Sequence, residues 1–251
     1  MKRVYIIPIM ILLIVSLACS VNLPFGLGAA LGSPTAEAGL PDKSTPTSEL
    51  PKSKNVFRED FEALMENWSD DIVITTQAQP GKMYTEVGIE EGWLKFHLKD
   101  FETYIYKFFR EPMNENVVIE TKMVNTGDIH NGMSVICRAA VDYSKWYEFR
   151  LSATNDYALY YYDQERKEKD GLNPYLELER GVSKDIKPML ENVVKVSCID
   201  TTLRLELNGT EVFLEETDLI MDGGLVGLGA ISFDLQPVIV KFDYIDVSKA
   251  K

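Results

Sequence analysis

Two alternating stretches decide the fold: residues 133–138 read Met-Ser-Val-Ile-Cys-Arg, and residues 146–151 read Trp-Tyr-Glu-Phe-Arg-Leu. Alternation at every second position is the period of a β-strand, whereas a helix repeats about every 3.6 residues. The side chains that we expect to face a core are Met133, Val135 and Cys137 in the first stretch and Tyr147, Phe149 and Leu151 in the second. We therefore predict that each stretch forms a β-strand with one apolar face.

The same period recurs along the chain from Val56 onward, in runs such as residues 117–123, 194–198 and 203–207. Pairs of turn-forming residues separate the runs, among them Asn131-Gly132 and Asn208-Gly209. The second of these pairs is the strongest hairpin signal, because both of its residues tolerate positive φ. The sequence shows no long amphipathic helix. We predict an all-β protein in which residues 56–251 form one antiparallel β-sandwich or jelly roll.

The start of the chain has the pattern of a secretory signal. Lys2 and Arg3 precede an apolar run from Ile6 to Ala18, which is shorter than the roughly 20 residues that a spanning helix needs. Cys19 follows directly, and Ser-Leu-Ala-Cys resembles the lipobox of bacterial lipoproteins, with leucine one place later than usual. We predict a signal peptide over residues 1–18 and a diacylglyceryl group on Cys19. An ordinary signal-peptide cysteine or an uncleaved anchor is the alternative.

Residues 19–55 are predicted to be a flexible tether. Gly, Ala, Ser and Thr are common there, and the prolines of the segment are Pro24, Pro34, Pro41, Pro46 and Pro51. Such a segment has little apolar surface to bury, and its prolines keep it extended. With a lipid on Cys19, the tether predicts an extracytoplasmic protein anchored to a bacterial cell membrane, with membrane lipid as a partner.

The amino-acid composition limits the classes of partner and cofactor that we expect the domain to bind. The 26 basic and 39 acidic residues give a formal net charge of −13, which disfavours nucleic acid and anionic lipid. The chain has two histidines, His97 and His130, and lacks the CxxC, HExxH and P-loop motifs. Two histidines are too few for a histidine-rich metal site, and they leave few candidates for the base of a Ser-His-Asp triad. We expect no cofactor.

Cys137 and Cys198 are the two cysteines that remain after Cys19. Both fall on the apolar side of their strands, so both should point inward. Because the predicted compartment is oxidising, we predict a disulfide between them. Two buried free thiols, acting as small hydrophobic side chains, are the alternative.

Further segments extend the pattern: Phe57–Phe61, Gly92–Phe96, Leu203–Gly209, Gly224–Ala230 and Val240–Ile245. In order and spacing they resemble the strands of the concanavalin A-like lectin/glucanase superfamily, in particular laminin G-like and keto-disaccharide hydrolase-like domains. The resemblance implies a two-sheet sandwich, in which residues 132–138 and 146–151 are paired central strands with a polar hairpin between them. It covers lectins, glycosidases and adhesion modules, so function depends on the site rather than on the fold. Some laminin G-like domains use calcium, but no D-x-D-x-D loop assigns a calcium site here.

A catalytic site is not evident in the sequence. Glycoside hydrolysis needs two carboxyl groups about 5 to 9.5 Å apart, and sandwich glucanases commonly carry them as E-x-D-x-x-E on one strand. That spacing is absent from this chain. We therefore expect a non-catalytic module, with a glycoside hydrolase whose carboxylate pair is unassigned as the alternative. A structural envelope lipoprotein without a ligand is the second alternative.

A binding face is predicted on the non-core side of the central strands. Its candidate ligand-binding residues are Glu120, Lys122, Arg138, Trp146, Glu148 and Arg150. Trp146 would stack on a sugar, and the arginines and glutamates would form hydrogen bonds with it. Cross-strand ion pairs on a plain polar face are the alternative. A second concentration of aromatic residues is Tyr157, Tyr160, Tyr161, Tyr162 and Tyr175. Alternation points Tyr160 and Tyr162 to one side and Tyr161 to the other, so at least one of these rings is expected to be exposed; core packing is the alternative for most of the five.

Overall fold

The structure, a computed structural model, describes residues 56–63, 65–75, 84–113, 116–220 and 222–250. These residues form fifteen strands and one short helix, arranged in two antiparallel sheets that pack as a sandwich. The predicted all-β sandwich is confirmed. Within these ranges, no helix is long and apolar enough to cross a bilayer. The predicted signal peptide, the lipidated Cys19 and the tether lie outside the described residues.

One sheet has eight strands. Its main path runs through β13 (Thr210–Glu216), β12 (Thr202–Leu207), β11 (Asn192–Ile199), β6 (Val117–Asn125), β15 (Val238–Lys249), β4 (Trp93–Leu98) and β3 (Glu86–Glu90). The eighth strand, β1 (Phe57–Glu59), pairs with β15. The Asn208-Gly209 hairpin joins β12 to β13, as predicted, with both residues at positive φ.

The other sheet has seven strands. They lie in the order β10 (Tyr175–Val182), β9 (Asp156–Asp163), β8 (Lys145–Leu151), β7 (Asn131–Ala139), β14 (Leu225–Ser232), β5 (Thr103–Phe108) and β2 (Ile72–Thr75). The helix α1 (Gln164–Asp170) follows β9. The Asp163 carboxylate caps its start by accepting a hydrogen bond from the N–H of Glu165 at 2.9 Å.

The hydrophobic core lies between the two sheets. β7 and β8 pair as the family resemblance implies, with Val135 opposite Phe149 and Cys137 opposite Tyr147. These four side chains have at most 1% of their surface exposed. The eight-stranded sheet supplies the facing layer, which includes Ile119, Val196, Leu205, Val240 and Val247. Burial of such side chains contributes about 1.5–3 kcal/mol each.

A disulfide joins the two sheets through the core. Cys137 of β7 is bonded to Cys198 of β11, and their Cα atoms are 6.7 Å apart. Both residues are fully buried, as expected for the apolar side of each strand. The predicted bond between these cysteines is confirmed.

Candidate functional site

The outer face of the seven-stranded sheet carries a second apolar cluster, separate from the core. Trp146 of β8 lies on this face, whereas the next residue, Tyr147, points into the core. The indole of Trp146 stacks on the ring of Tyr162, with centroids 3.7 Å apart. The rings of Tyr106 and Phe108 contact it with centroids at 5.3 and 5.6 Å. Trp146 is consequently fully buried and offers no exposed ring to a sugar.

Two glycines of β14 make room for this cluster. Gly227 lies opposite Phe108, and Gly229 lies opposite Tyr106. A Cβ atom on Gly227 would lie 2.7 Å from Cδ1 of Phe108, and one on Gly229 would overlap the ring of Tyr106. Any side chain at these two positions would displace the rings, so the glycines are required by close approach.

The carboxylate of Glu148 is the polar centre of the outer face. Oε1 accepts hydrogen bonds from Ser134 Oγ at 2.6 Å and from Arg150 Nε at 2.9 Å. Oε2 accepts hydrogen bonds from the Tyr106 hydroxyl at 3.0 Å and from Trp146 Nε1 at 3.3 Å. Glu148 is fully buried, and four protein donors satisfy its two oxygens. It is therefore not available to a ligand.

Arg150 lies beside Glu148 among three tyrosine rings. Its guanidinium carbon is 4.4 Å from the ring centroid of Tyr160, 5.2 Å from that of Tyr175 and 5.4 Å from that of Tyr104. These distances are those of cation–π contacts. Burial is the largest influence on Arg150 and disfavours its charged form, but the Glu148 carboxylate and the surrounding tyrosine hydroxyls together outweigh burial and raise the pKa. The guanidinium is thus a fixed positive charge.

The tyrosine hydroxyls around this pair remain protonated at neutral pH. The hydroxyls of Tyr106 and Tyr175 are 2.9 Å apart. Burial, followed by the negative charge of Glu148, raises the pKa of both groups well above the ordinary value. Burial also raises the pKa of Tyr160. These groups act as neutral hydrogen-bond donors and acceptors.

An open cleft of about 310 Å³ lies next to Arg150. The lining residues that matter chemically are Asn131, Arg150, Asp156, Tyr160, Arg180 and Phe233. The side chain of Arg180 has 55% of its surface exposed, and its Nη2 donates to the Tyr160 hydroxyl at 2.6 Å. The cleft therefore combines aromatic surface with charged and polar groups, which is the composition of small-ligand sites.

Two buried nitrogens in the cleft wall have no hydrogen-bond acceptor in the protein, namely Asn131 Nδ2 and Arg150 Nη2. Asn131 uses its other atom, Oδ1, to accept from the N–H of Ala153 at 3.1 Å. Arg150 Nη2 is 2.8 Å from Glu148 Oε1, but the aligned hydrogen bond to that oxygen comes from Nε. The Nη2 contact is therefore an ion pair without an aligned hydrogen bond. An unsatisfied buried donor costs about 1–3 kcal/mol.

Three of the six predicted site residues, Trp146, Glu148 and Arg150, lie side by side on β8. Arg138 does not join them, because β7 and β14 change register at this point and Arg138 has φ of 52°. The alternation is broken there, and Arg138 Nη1 donates to the carbonyl of Ile220 at 2.8 Å. The predicted groove bounded by Trp146, Arg138 and Glu148 is therefore not formed.

Glu120 and Lys122 are also separate from this group. Both are on β6, which belongs to the eight-stranded sheet. Lys122 Nζ is 2.5 Å from Asp243, and Glu120 Oε1 accepts from the Tyr244 hydroxyl at 2.9 Å. The prediction that all six residues share one face is wrong, and for these two the alternative of a paired polar strand face describes the structure.

Sequence reasoning missed most of the cleft. Asn131 fell in a predicted turn with Gly132, whereas in the structure it begins β7. Arg180 and Asp156 carried no motif that set them apart from the other charged residues of the chain. The signal that pointed here was the concentration of tyrosines, since Tyr157 and Tyr160 line the cleft. The expectation that one of Tyr160, Tyr161 and Tyr162 is exposed is wrong, because all three are buried.

Metal ligands are not assembled in this region. In the part of the chain that the structure describes, no group of three or more His, Cys, Asp or Glu residues could hold a metal ion. The two histidines lie apart, since His97 is in β4 and His130 directly precedes β7 of the other sheet. His130 Nδ1 is 3.0 Å from Asp234, and this hydrogen bond raises the pKa of the imidazole.

Comparison with solved structures shows which known proteins share this fold. A β-1,3-1,4-glucanase (lichenase) from a mouse hindgut metagenome has a TM-score of 0.56 at 11% identity, over 78% of this chain and 100% of its own. A Bacillus licheniformis β-glucanase has a TM-score of 0.53 at 10% identity, over 78% and 99%. A carbohydrate-binding module from Bacillus subtilis has a TM-score of 0.50 at 12% identity, over 68% and 92%.

The domain has the concanavalin A-like β-sandwich fold, as its sequence resemblance predicted. Within that class, its fold is shared both with glucanases and with a carbohydrate-binding module. No protein-family model and no curated protein sequence matches the chain. At identities this low, structural likeness establishes the fold alone.

Proposed function

We propose that this protein is a non-catalytic carbohydrate-recognition module whose binding site is the cleft beside Arg150. The observation that carries the proposal is the composition of the cleft wall, where Tyr157 and Tyr160 lie beside Arg180, Asn131 and Asp156. Carbohydrate sites combine aromatic surface with hydrogen-bonding side chains in this way. A purely structural lipoprotein would need no such cleft.

The carboxylates of the outer face favour binding over hydrolysis. Glu148 is fully buried and bonded to four donors, so it cannot approach a glycosidic oxygen. Glu177 lies across Tyr160 from Glu148 and pairs with Arg180 at 2.6 Å. Two strand spacings, about 10 Å, separate their backbones. These two carboxylates do not flank an open groove, which a glycoside hydrolase would require.

A glycan array probed with the full-length chain tests the binding function. Arg180→Ala should weaken binding of the best array ligand at least tenfold, because Arg180 is the exposed guanidinium of the cleft. Arg204→Ala is the matched control, since Arg204 also pairs with glutamates but lies on β12 of the other sheet. Absence of any glycan ligand, or equal loss in the two variants, would overturn the proposal. Hydrolysis of a bound glycan would favour the enzyme alternative.

We also propose that Cys19 carries a lipid that anchors the protein outside the cytoplasm. The support is in the sequence, where a basic start and a short apolar run precede Cys19 and a proline-rich segment follows it. In a bacterial host, Cys19→Ala should release the protein from the membrane fraction or stall its processing. Ser20→Ala is the control and should fractionate as the unmodified chain does. Unchanged fractionation and processing of Cys19→Ala would contradict the lipid anchor.

A further inference from the structure

We infer that the cleft beside Arg150 selects sugars that carry a carboxylate, such as hexuronates. The inference rests on the proposed carbohydrate-binding function and adds the class of sugar. Its basis is an imbalance in the cleft wall, where hydrogen-bond donors and positive charges outnumber negative groups.

The first part of the imbalance is a pair of buried nitrogen donors that lack aligned hydrogen bonds within the protein. Asn131 Nδ2 is buried without an acceptor, and the buried Arg150 Nη2 has its ion pair with Glu148 but no aligned hydrogen bond. Both residues line the cleft. The Arg150 side chain passes over the residue next to Asn131, because a Cβ atom on Gly132 would be 3.0 Å from Arg150 Cδ. A carboxylate has two acceptor oxygens and no hydrogen to donate, so it suits a wall that offers an amide donor and a guanidinium. A sugar hydroxyl accepts as well, but it also brings a hydrogen that needs an acceptor.

The second part is the orientation of three pairs of charged groups. Arg150 pairs with Glu148, Arg180 pairs with Glu177, and His130 pairs with Asp234. In each pair the basic member lines the cleft, and its carboxylate partner does not. The one carboxylate in the wall is that of Asp156, which accepts a hydrogen bond from the Thr154 hydroxyl at 2.5 Å. The cleft therefore presents basic groups to a ligand.

The net charge of the chain does not oppose this local preference. The formal charge of −13 is spread over the whole sequence. At physiological ionic strength the screening length is about 8 Å, so distant acidic residues contribute little to the field at the cleft. Contacts with Arg180, with the Asn131 amide and with the Arg150 guanidinium act at much shorter range.

Calorimetric titration of the full-length chain with matched sugars tests the inference. One arm compares trigalacturonate with the neutral trisaccharide obtained by reducing its carboxyl groups. A second arm compares 3′-sialyllactose with lactose, which distinguishes hexuronates from sialic acids as the source of the carboxylate. We expect the acidic sugar to bind at least tenfold more tightly than its neutral counterpart in the hexuronate arm.

Asn131→Asp is the variant that tests the donor directly. It keeps an oxygen for the N–H of Ala153 but replaces the Nδ2 donor by a negative oxygen, so trigalacturonate binding should fall at least tenfold. Asn173→Asp is the matched control, because it adds the same charge in an exposed loop before β10. The affinity of the Asn173→Asp variant for trigalacturonate should change less than twofold. If Asn131→Asp does not fold, Arg180→Gln should give the same loss.

The outcomes separate the two proposals. Equal affinity for acidic and neutral sugars would overturn the carboxylate preference and leave carbohydrate binding standing. Binding of neither type would overturn both. A preference for sialyllactose alone would support carboxylate selection and assign it to sialic acids rather than hexuronates. Equal losses in Asn131→Asp and Asn173→Asp would show that the Asn131 amide does not take part, which would overturn the assignment of the site.

Discussion

Glu148 and Arg150 show what a buried charged pair requires at the level of single residues. Both oxygens of Glu148 are bonded, and the Arg150 guanidinium lies among tyrosine rings. A buried pair of this kind adds little net stability compared with apolar residues, because desolvation offsets the attraction. Removing one partner is different, since the other charge is then left buried without compensation.

Glu148→Gln should lower the free energy of unfolding by about 3–5 kcal/mol, because it leaves the Arg150 charge unpaired inside the outer face. The measurement is urea denaturation followed by fluorescence or circular dichroism. Glu177→Gln is the control: it also breaks an arginine pair, but that pair is exposed and should contribute about 0–1 kcal/mol. Similar losses in the two variants would mean that burial does not set the energy of the Glu148 pair.

The same residues show which parts of the site could be predicted from the sequence and which could not. Alternation along one strand correctly put Trp146, Glu148 and Arg150 on the side opposite the core. It could not foresee that Trp146 is covered, because the ring of Tyr162 that covers it comes from another strand. It also failed at Arg138, where positive φ and a register shift turn the chain out of alternation.

At the level of elements, β14 determines what the outer face can hold. Its outward positions include Gly227 and Gly229, and the missing side chains are replaced by the rings of Phe108 and Tyr106 from β5. Tyr106 in turn donates to Glu148. The glycines of β14 therefore leave room for Tyr106 of β5, and the Tyr106 hydroxyl donates a hydrogen bond to Glu148 of β8.

Gly229→Ala should lower the free energy of unfolding by about 1–3 kcal/mol, the range for overpacking a filled site. Its Cβ would overlap the Tyr106 ring and would lie 3.0 Å from the carbonyl oxygen of Ile105. Gly88→Ala in β3 is the matched control, because nothing lies within 4 Å of its Cβ position. Thermal unfolding of both variants checks this. A Gly229→Ala protein as stable as Gly88→Ala would show that the ring moves aside freely.

Strands were predictable from the sequence, whereas their assignment to sheets was not. The two-residue period located β6, β7, β8, β11 and β12. The pairing of strands depends on contacts between distant parts of the chain, and the residue pattern of a single strand does not reveal those contacts. For this reason Glu120 of β6 was grouped with Glu148 of β8, although the strands belong to different sheets.

At the level of the whole molecule, the sandwich separates two outer faces with different chemistry. The eight-stranded sheet turns a polar face outward, with ion pairs such as Lys95–Glu90 at 2.9 Å and Lys122–Asp243 at 2.5 Å. The seven-stranded sheet turns the aromatic cluster and the cleft outward. Both faces depend on the shared core, and Cys137–Cys198 is the covalent link across it.

Loss of the Cys137–Cys198 bond should destabilise the whole sandwich rather than one face. The two cysteines are 61 residues apart, and closing a loop of that length is worth about 4 kcal/mol on the chain-entropy model. The double variant Cys137→Ala/Cys198→Ala should therefore unfold at a lower urea concentration than the unmodified chain. A reducing agent should lower the midpoint of the unmodified chain and leave that of the double variant unchanged. A midpoint of the unmodified chain that does not respond to reduction would show that this bond contributes nothing to the stability of the fold.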